Sequence, residues 1–459
     1  MRATTGITAR ATKLRRAALW AGGVLVLAAC NPTEILDVTD PDIINPSDVS
    51  SPAGANAVRL GALARLNAAT SGEESLFMLG GLFADEWNNG DTFIARQEID
   101  QRVITPENTF LTAANRVLHR ARVGAQQAVA LLQEFSPNAP AADVAEMYFV
   151  QAFVENMMAE HYCNGLVFST FENGAEQLGS GITTTAAFEM ALAHADAGLK
   201  LITGNTAADQ KVRNALAVTK GRILVNLARY AEAATAVAGV PTTFKYDMQH
   251  AITATSNQMW NWNNLSRRYS VSTNEGGNGL DFATANDPRL PVCVGGDATC
   301  KANGVTQPRR DDSGPQTLYV QLKWPVRESP VTISSGVEAR LTEAEAQLKA
   351  GNAAGALATL NALRATVTGL APLTLAATPA AQLDQLFRER AFWMFSTGHR
   401  TGDLRRLVRQ YGRAATSVFP VGPWHKGGNY GTDVTIPVPQ AEENNPNVTR
   451  GATCMDRNA

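Results

Sequence analysis

The sequence predicts a mainly α-helical protein: a scaffold of tetratricopeptide-like helical repeats that carries an irregular, loop-rich part. Apolar residues recur at helical spacing through about residues 50–239 and again through 337–411. These helical segments follow one another in pairs, as units of about 34–45 residues. Between them, over residues 240–336, the helical periodicity disappears and Pro, Gly, Asn, Ser and aromatic residues dominate.

The first two hairpins are predicted from their helix signals. Pro106 with Glu107 favours a helix start, SPNAP is a short turn, and Thr183 to Thr185 are capping candidates for the second hairpin. The predicted helices span 53–69, 106–134, 141–162, 183–202, 211–237, 337–349, 353–367 and 379–411, the last with a break near Gly398.

One C-terminal segment has the composition of a single repeat. Residues 341–363 (LTEAEAQLKAGNAAGALATLNAL) predict a helix, a turn at Gly351-Asn352, and small residues where the next helix approaches. Periodicity alone gives the same pattern for unrelated antiparallel helices. We favour the repeat interpretation, and both stay open at this point.

The N-terminus predicts export and a lipid anchor. A basic stretch that ends at Arg15-Arg16 precedes thirteen uncharged residues, 17–29, which is the pattern of a secretory signal and is too short for a stable membrane span. The run ends Leu-Ala-Ala-Cys30, and small residues before a single Cys resemble the bacterial lipoprotein box. Cys30 is therefore the expected diacylated N-terminus, with an ordinary signal and a chance Cys as the alternative.

The chain divides into five predicted parts. Residues 1–29 are the lipoprotein signal peptide and 30–49 a lipid-anchored, Pro-punctuated leader. Residues 50–239 carry the N-terminal hairpins, 240–336 the irregular aromatic- and Gly/Pro-rich insertion, and 337–459 the C-terminal repeat and an extended tail.

Composition and charge exclude several classes of protein. Apolar residues make up 45% and charged residues 18%, so the chain has ample material for a core and is not expected to be disordered. The formal net charge is −2, and five basic residues lie within 1–29, so the remainder carries −7. A nucleic-acid binder needs a basic surface, and we therefore predict no nucleic-acid partner.

Four cysteines follow Cys30. Cys293 and Cys300 flank a Gly-Gly-Asp turn in CVGGDATC, which favours a small-loop disulfide in an exported protein. Cys163 and Cys454 would be the remaining pair, with weaker support. A metal site is disfavoured because neither CxxC spacing nor nearby His is present, and no metal or cofactor is predicted.

No catalytic motif is recognisable. The sequence lacks a GxSxG elbow, an HExxH pair, a P-loop and a dinucleotide-binding glycine fingerprint, and its six His are scattered. A distant pair of carboxylates stays open, although carboxylate doublets in sequence are usually solvated. We therefore predict a protein that is not an enzyme.

Aromatic clusters favour binding. The segment WNWNNLSRRY supplies rings, amides and guanidinium groups within ten residues, and rings offer flat apolar faces on which sugars or peptide side chains stack. The alternative for each residue is a buried ring that pins a loop, and Trp393, in a helical apolar stripe, is a predicted core residue. The candidate ligand-binding residues are Trp260, Asn261, Trp262, Arg267 and Tyr269, with Trp87 in FADEWNNGDTF as a further candidate.

Several segments resemble one family. The lipoprotein box is followed by EILDVTDPDIINP, and residues 145–170 form an aromatic-rich helix that runs into a Gly-containing loop. The most specific segments are 343–365, RERAFWMFSTGHRTGDLRRL (388–407) and TIPVPQAEENNPN (435–447). Together they resemble the SusD/RagB family of outer-membrane nutrient-binding lipoproteins, over nearly the whole chain. Within the motifs, Arg400 and Asp403 have the spacing of an ion pair on one helical face.

The resemblance implies a SusD-like fold with tetratricopeptide-like repeats and a less regular ligand-binding part. It also implies a lipid-anchored protein of the outer membrane that faces the exterior. Such a protein would capture a glycan or peptide and deliver it to a TonB-dependent, SusC-like barrel, without breaking a bond. Two other classes stay open: an assembly lipoprotein that uses its repeats as a docking scaffold, and a surface hydrolase.

Overall fold

Helical hairpins make up most of the described chain. The computed structural model describes residues 49–172, 175–451 and 453–459, so the predicted signal peptide, Cys30 and the leader up to residue 48 lie outside the described residues. Residues 50–459 form one compact unit. The mainly α-helical, repeat-like fold class is confirmed.

The long helices pack in sequence order. The described helices are α1 Pro52–Ser71, α2 Leu76–Phe83, α3 Ile94–Gln101, α4 Thr109–Phe135, α5 Ala141–His161, α6 Thr184–Leu201, α7 Ala207–Asn226, α8 Tyr230–Val237, α9 Gln258–Trp260, α10 Ala298–Ala302, α11 Gly336–Lys349, α12 Ala353–Arg364, α13 Pro379–Trp393, α14 Arg400–Arg409 and α15 Ala415–Val418. α4 packs on α1 and α5, α6 on α5 and α7, α8 on α7 and α11, and α12 on α11, as stacked repeats do.

Short antiparallel strand pairs lie between and beside the helices. The described strands are β1 Trp87–Asn89, β2 Leu166–Val167, β3 Thr170–Glu172, β4 Ala175–Gln177, β5 Gly181–Ile182, β6 Lys245–Met248, β7 Tyr269–Val271, β8 Val292–Val294, β9 Tyr319–Gln321 and β10 Val331–Ser335. Each described sheet has two strands, and the pairs are β1–β7, β2–β5, β3–β4, β6–β10 and β8–β9. The irregular part 240–336 therefore contains ordered strands that the periodicity did not predict.

Several predicted helix boundaries are wrong: α7 begins at Ala207 rather than at residue 211, because Thr206 caps it, and α12 ends at Arg364 rather than at residue 367. α4 begins at Thr109 rather than Pro106, because the side chain of Asn108 caps it by accepting from the backbone N–H groups of Phe110 and Leu111. The predicted helix 211–237 is two helices, α7 and α8. Ala228 between them has a φ of 58°, in the left-handed region, which ends the first helix.

The ion pair expected between Arg400 and Asp403 is also not formed. Instead, Nε and Nη2 of Arg400 donate to the two carboxylate oxygens of Asp85, at 2.6 and 2.8 Å. Asp403 accepts from Arg390 at 2.9 and 3.0 Å and from Arg406, three residues further along α14, at 2.7 Å. The break near Gly398 is confirmed, since α13 ends at Trp393 and α14 begins at Arg400.

Both disulfides form in the described chain. Cys293 pairs with Cys300 across seven residues, and Cys163 pairs with Cys454 across 291 residues. Asp297 lies beside the first pair, but both sulfurs are consumed by the disulfide and are not thiolate ligands for a metal. Within the described residues, every helix is too short or too polar to cross a bilayer.

α7 and α8 approach each other closely at Gly221 of α7, and a substitution there tests this packing. A Cβ at this position would lie 2.4 Å from Cγ1 of Val237, a fully buried residue of α8. We expect Gly221→Val to lower the free energy of unfolding by about 1–3 kcal/mol through overpacking. Urea unfolding would measure the change.

The matched control is Gly61→Val in α1, where a Cβ meets no atom within 4 Å. This variant carries the same change of helix propensity without the clash. Equal losses of stability in the two variants would contradict the packing argument.

Candidate ligand-binding site

Pairing of β1 with β7 brings together predicted site residues that are distant in sequence. Asn89 pairs with Tyr269, and Trp87 with Val271. Trp262 lies in a π-helical turn, Asn261–Leu265, that directly continues α9. The structure therefore places Trp87, Trp262 and Tyr269 in one region.

Trp87 and Tyr269 belong to the core. Both are fully buried, and their rings meet edge-to-face with centroids 6.2 Å apart. Nε1 of Trp87 donates to Oγ of Ser396 at 2.8 Å. In this structure neither ring offers a face to a ligand. Each is a buried ring that pins the chain around it, which is the alternative that the sequence left open.

Arg96 is the centre of the site. Its guanidinium carbon lies 4.6 Å from the ring centroid of Phe110 and 4.7 Å from that of Trp262. The ring centroids of Phe93 and Tyr269 lie 5.4 and 5.6 Å from the same carbon, within the range of a cation–π interaction. We call Arg96, Phe93, Phe110, Trp262, Tyr269 and Arg268 the Arg96 cluster.

Arg268 extends the cluster to the surface. Its guanidinium carbon lies 5.1 Å from the ring centroid of Trp262 and 5.2 Å from that of Phe93. Trp262 thus has guanidinium groups of Arg96 and Arg268 near its ring and is itself 8% exposed. Phe93, in contrast, is 47% exposed and is the most exposed ring of the cluster, so a ligand can reach it.

Two carboxylates balance the buried charge of Arg96. Nη2 of Arg96 lies 2.9 Å from Oε1 of Glu74, and Nη1 of Arg96 pairs with the carboxylate of Asp91. Burial raises the pKa of Glu74 to about 7, although the adjacent Arg96 acts in the opposite direction. The cluster is therefore held by ion pairs as well as by ring contacts.

The other predicted residues lie outside the cluster. Trp260 is half-buried, and its Nε1 donates to the carbonyl of Pro325 at 3.1 Å. Nδ2 of Asn261 donates to Gln258 at 2.8 Å. Arg267 holds the loop between α10 and β9 by donating to the carbonyls of Arg310 and Asp311, at 3.1 and 3.0 Å. Their role in ligand binding stays a prediction.

Sequence reasoning missed Phe93 and Arg96 as site residues. Phe93 ends the quoted segment FADEWNNGDTF, and Arg96 follows three residues later. A basic residue at that spacing beside an aromatic-rich segment was a usable signal for Arg96. The exposure of Phe93 could not be predicted from the sequence, because it depends on the chain that packs around it.

A buried polar network fixes the loop that carries Phe93. Oδ2 of Asp100 accepts from the backbone N–H of Asn89 at 3.1 Å and from Nε1 of Trp424 at 3.0 Å. Nε2 of His425 lies 3.0 Å from the carbonyl oxygen of Asn89. Burial raises the pKa values of Asp100 and of nearby Glu275 to about 7. Residues 87–102 and 419–431 are thereby tied together.

Comparison with solved structures identifies the fold. No protein-family model and no curated protein sequence matches the chain. A SusD-like protein from Bacteroides fragilis matches with a TM-score of 0.62 and 14% identity, over 90% of this chain and 99% of that one. A SusD superfamily protein from Parabacteroides distasonis gives a TM-score of 0.62 and 15% identity, over 87% and 98%.

The chain has a SusD-like fold. A SusD-like carbohydrate-binding protein from B. fragilis also matches, with a TM-score of 0.62 and 16% identity, over 88% of this chain and 100% of that one. In the SusD-like fold of this chain, the Arg96 cluster combines β7 and its preceding turn with the N-terminal segment around α3.

The buried carboxyl groups of this SusD-like chain predict a pH-dependent stability. Burial raises the pKa of Glu86 to about 8, and those of Glu74, Asp100 and Glu275 to about 7. The folded chain therefore binds these protons more tightly than the unfolded chain does. Their contribution to stability is complete below about pH 4 and is lost as the pH rises through about 7 to 8.

We expect the midpoint of thermal unfolding to fall by several degrees between pH 6.5 and pH 8.5, as measured by calorimetry. Below this window His119 and His161 act in the opposite direction, because burial lowers their pKa values to about 3 and 4. Asp100→Asn should reduce the slope, whereas the exposed Glu107→Gln should leave it unchanged. A midpoint that is constant or rises across the window would contradict the prediction.

Proposed function

We propose that the protein is a nutrient-binding lipoprotein. It binds an oligosaccharide or a peptide and delivers it to a TonB-dependent, SusC-like barrel in the outer membrane. The observation that carries the proposal is the SusD-like fold, which matches solved chains over 98–100% of their length, including a SusD-like carbohydrate-binding protein. The sequence supports export and anchoring through Cys30 on the exterior side of that membrane.

The Arg96 cluster supplies the proposed ligand contacts. A half-exposed phenyl ring at Phe93 stacks on the apolar face of a sugar or on a peptide side chain. The side chain of Arg268, 32% exposed, adds hydrogen-bond donors beside that ring. Because both groups are held in place by Trp262 and Arg96, little side-chain entropy is lost on binding.

The proposed function involves no bond cleavage. Affinity comes from stacking and hydrogen bonds, and the energy for uptake comes from the partner transporter. Asp100 and Glu275 have raised pKa values, as catalytic acids have, but their hydrogen bonds to Asn89, Trp424 and Tyr430 are within the fold. We assign them a structural role.

A groove in the repeats favours a second candidate function, a docking scaffold. The groove has a volume of about 590 Å³ and lies between α8 and α11. Tyr230 and Lys349 line it, with the ammonium of Lys349 5.0 Å from the Tyr230 ring centroid. A protein segment is the natural occupant of such a surface in repeat proteins.

Purification of the lipidated protein from detergent-solubilised outer membrane tests the two candidates. We expect a large β-barrel transporter in stoichiometric amount, identified by mass spectrometry. Cys30→Ser is the control, because loss of the acyl anchor should remove the protein from the membrane fraction and with it the barrel. Recovery of an assembly complex without a barrel would replace nutrient uptake with the scaffold function.

Substitution of Phe93 tests the site. We expect Phe93→Ala to weaken binding of the glycan or peptide identified by array screening by about tenfold, because a stacking face worth about 1.4 kcal/mol is lost. Isothermal titration calorimetry would measure it.

Phe171→Ala is the matched control, since Phe171 is 40% exposed in β3 and belongs to no described ring pair of the Arg96 cluster. Undiminished affinity in Phe93→Ala, or an equal loss in both variants, would place the ligand elsewhere. Turnover of the ligand by the wild-type protein would instead support a hydrolase.

A further inference from the structure

A cavity of about 310 Å³ on another part of the surface has an unusual charge. It lies between β6, β10, the loop after β9 and the C-terminal end of α13. Its wall includes Lys245, Arg289 and Lys323, and it includes no carboxylate. The Lys245–Lys323 cavity is therefore positive, although the whole chain has a net negative charge.

The two lysines carry the uncompensated charge. Arg289 is already balanced, with Asp287 and Glu389 each 2.6 Å from its guanidinium nitrogens. Lys245 and Lys323 form no salt bridge within 4.0 Å with any described residue. Asp247, the acidic neighbour on β6, accepts from Oγ1 of Thr332 at 2.6 Å.

The environment of Lys323 explains why an anion would stabilise it. Its Nζ donates to the carbonyl oxygen of Phe395 at 2.9 Å, which satisfies one of its three N–H donors. Burial lowers the pKa of Lys323 to about 8, and repulsion by Lys245 adds to this. Glu86 attracts Lys323, but burial raises the pKa of Glu86 to about 8, so its carboxyl carries only part of its charge at neutral pH.

The remaining wall suits a polyhydroxylated ring. Trp393 is half-buried and supplies an indole face, and its Nε1 is buried without a hydrogen-bond acceptor among the described residues. Trp324 also borders the cavity but is only 3% exposed. The ammonium of Lys323 lies 4.7 Å from the Trp324 ring centroid. The hydroxyls of Thr332 and Ser335 add polar atoms. The volume is at the lower end of ligand pockets and accommodates about one monosaccharide unit.

We propose that the Lys245–Lys323 cavity binds the carboxylate of an acidic sugar, a uronic acid unit. The carboxylate lies between the two ammonium groups and removes their mutual repulsion, and the ring packs against the indole of Trp393. Anion binding follows from the cavity alone. The choice of a sugar as the carrier of the carboxylate rests on the proposed nutrient-binding function.

Calorimetric titration of the full-length protein in detergent tests the proposal, with galacturonate as the probe and galactose as its neutral counterpart. We expect galacturonate to bind, to lose affinity with added salt, and to bind at least tenfold more tightly than galactose. Lys323→Met and Lys245→Met should each weaken it by about tenfold. Lys245 is exposed, so the second variant does not endanger folding.

Lys301→Met is the matched control, because Lys301 is an exposed lysine of α10 outside the cavity wall. This variant should bind galacturonate with the affinity of the wild type. Equal affinity for galacturonate and galactose, or no effect of either cavity variant, would overturn the proposal. Binding of inorganic phosphate without galacturonate would overturn the assignment to a sugar acid. Since the barrel is detected by a separate purification, failure here leaves the transport function standing.

Discussion

The buried ion pairs of α14 are the constraint on which the rest of the structure depends. Asp403 is held between Arg390 and Arg406, and Arg406 also binds Glu345 of α11. Buried charges of this kind are tolerated only when they are paired, and loss of one partner costs about 3–5 kcal/mol. The network therefore fixes α13 and α14 against the repeat helix α11 in one arrangement.

The same helix connects the repeats with the ligand-binding part. Arg400, at the start of α14, binds Asp85, whose other contacts include the backbone N–H of Leu280. Asp85 lies two residues before the strand β1, which carries Trp87 and leads to the Phe93 loop. The geometry of the candidate site is thus set from within the fold, by buried charges that lie outside the Arg96 cluster.

The helical part of the structure was largely predictable, because apolar periodicity and turn residues such as Gly351-Asn352 predict the hairpins. The errors have physical causes. An amide side chain at Asn108 caps a helix more effectively than the nearby Pro106 starts one, and a left-handed Ala228 ends a helix where composition gives no breaker. Strands of two to five residues are too short for an alternating pattern to stand out. For the candidate site, aromatic composition located segments that the structure brings together, but it did not show which rings are buried. Trp87 and Phe93 differ in exposure only through tertiary packing.

The disulfide between Cys163 and Cys454 imposes an order on biogenesis. Its partners are separated by 291 residues, and the second disulfide lies between them in the sequence. A chain that emerges from its N-terminus first must keep a free thiol at Cys163 until Cys454 has also emerged. Because Cys293 and Cys300 emerge together in between, the local bond has a kinetic advantage that keeps the correct partners available. The long-range bond forms only when the segment around Cys454 has docked beside Cys163, which makes this bond a chemical marker of that docking.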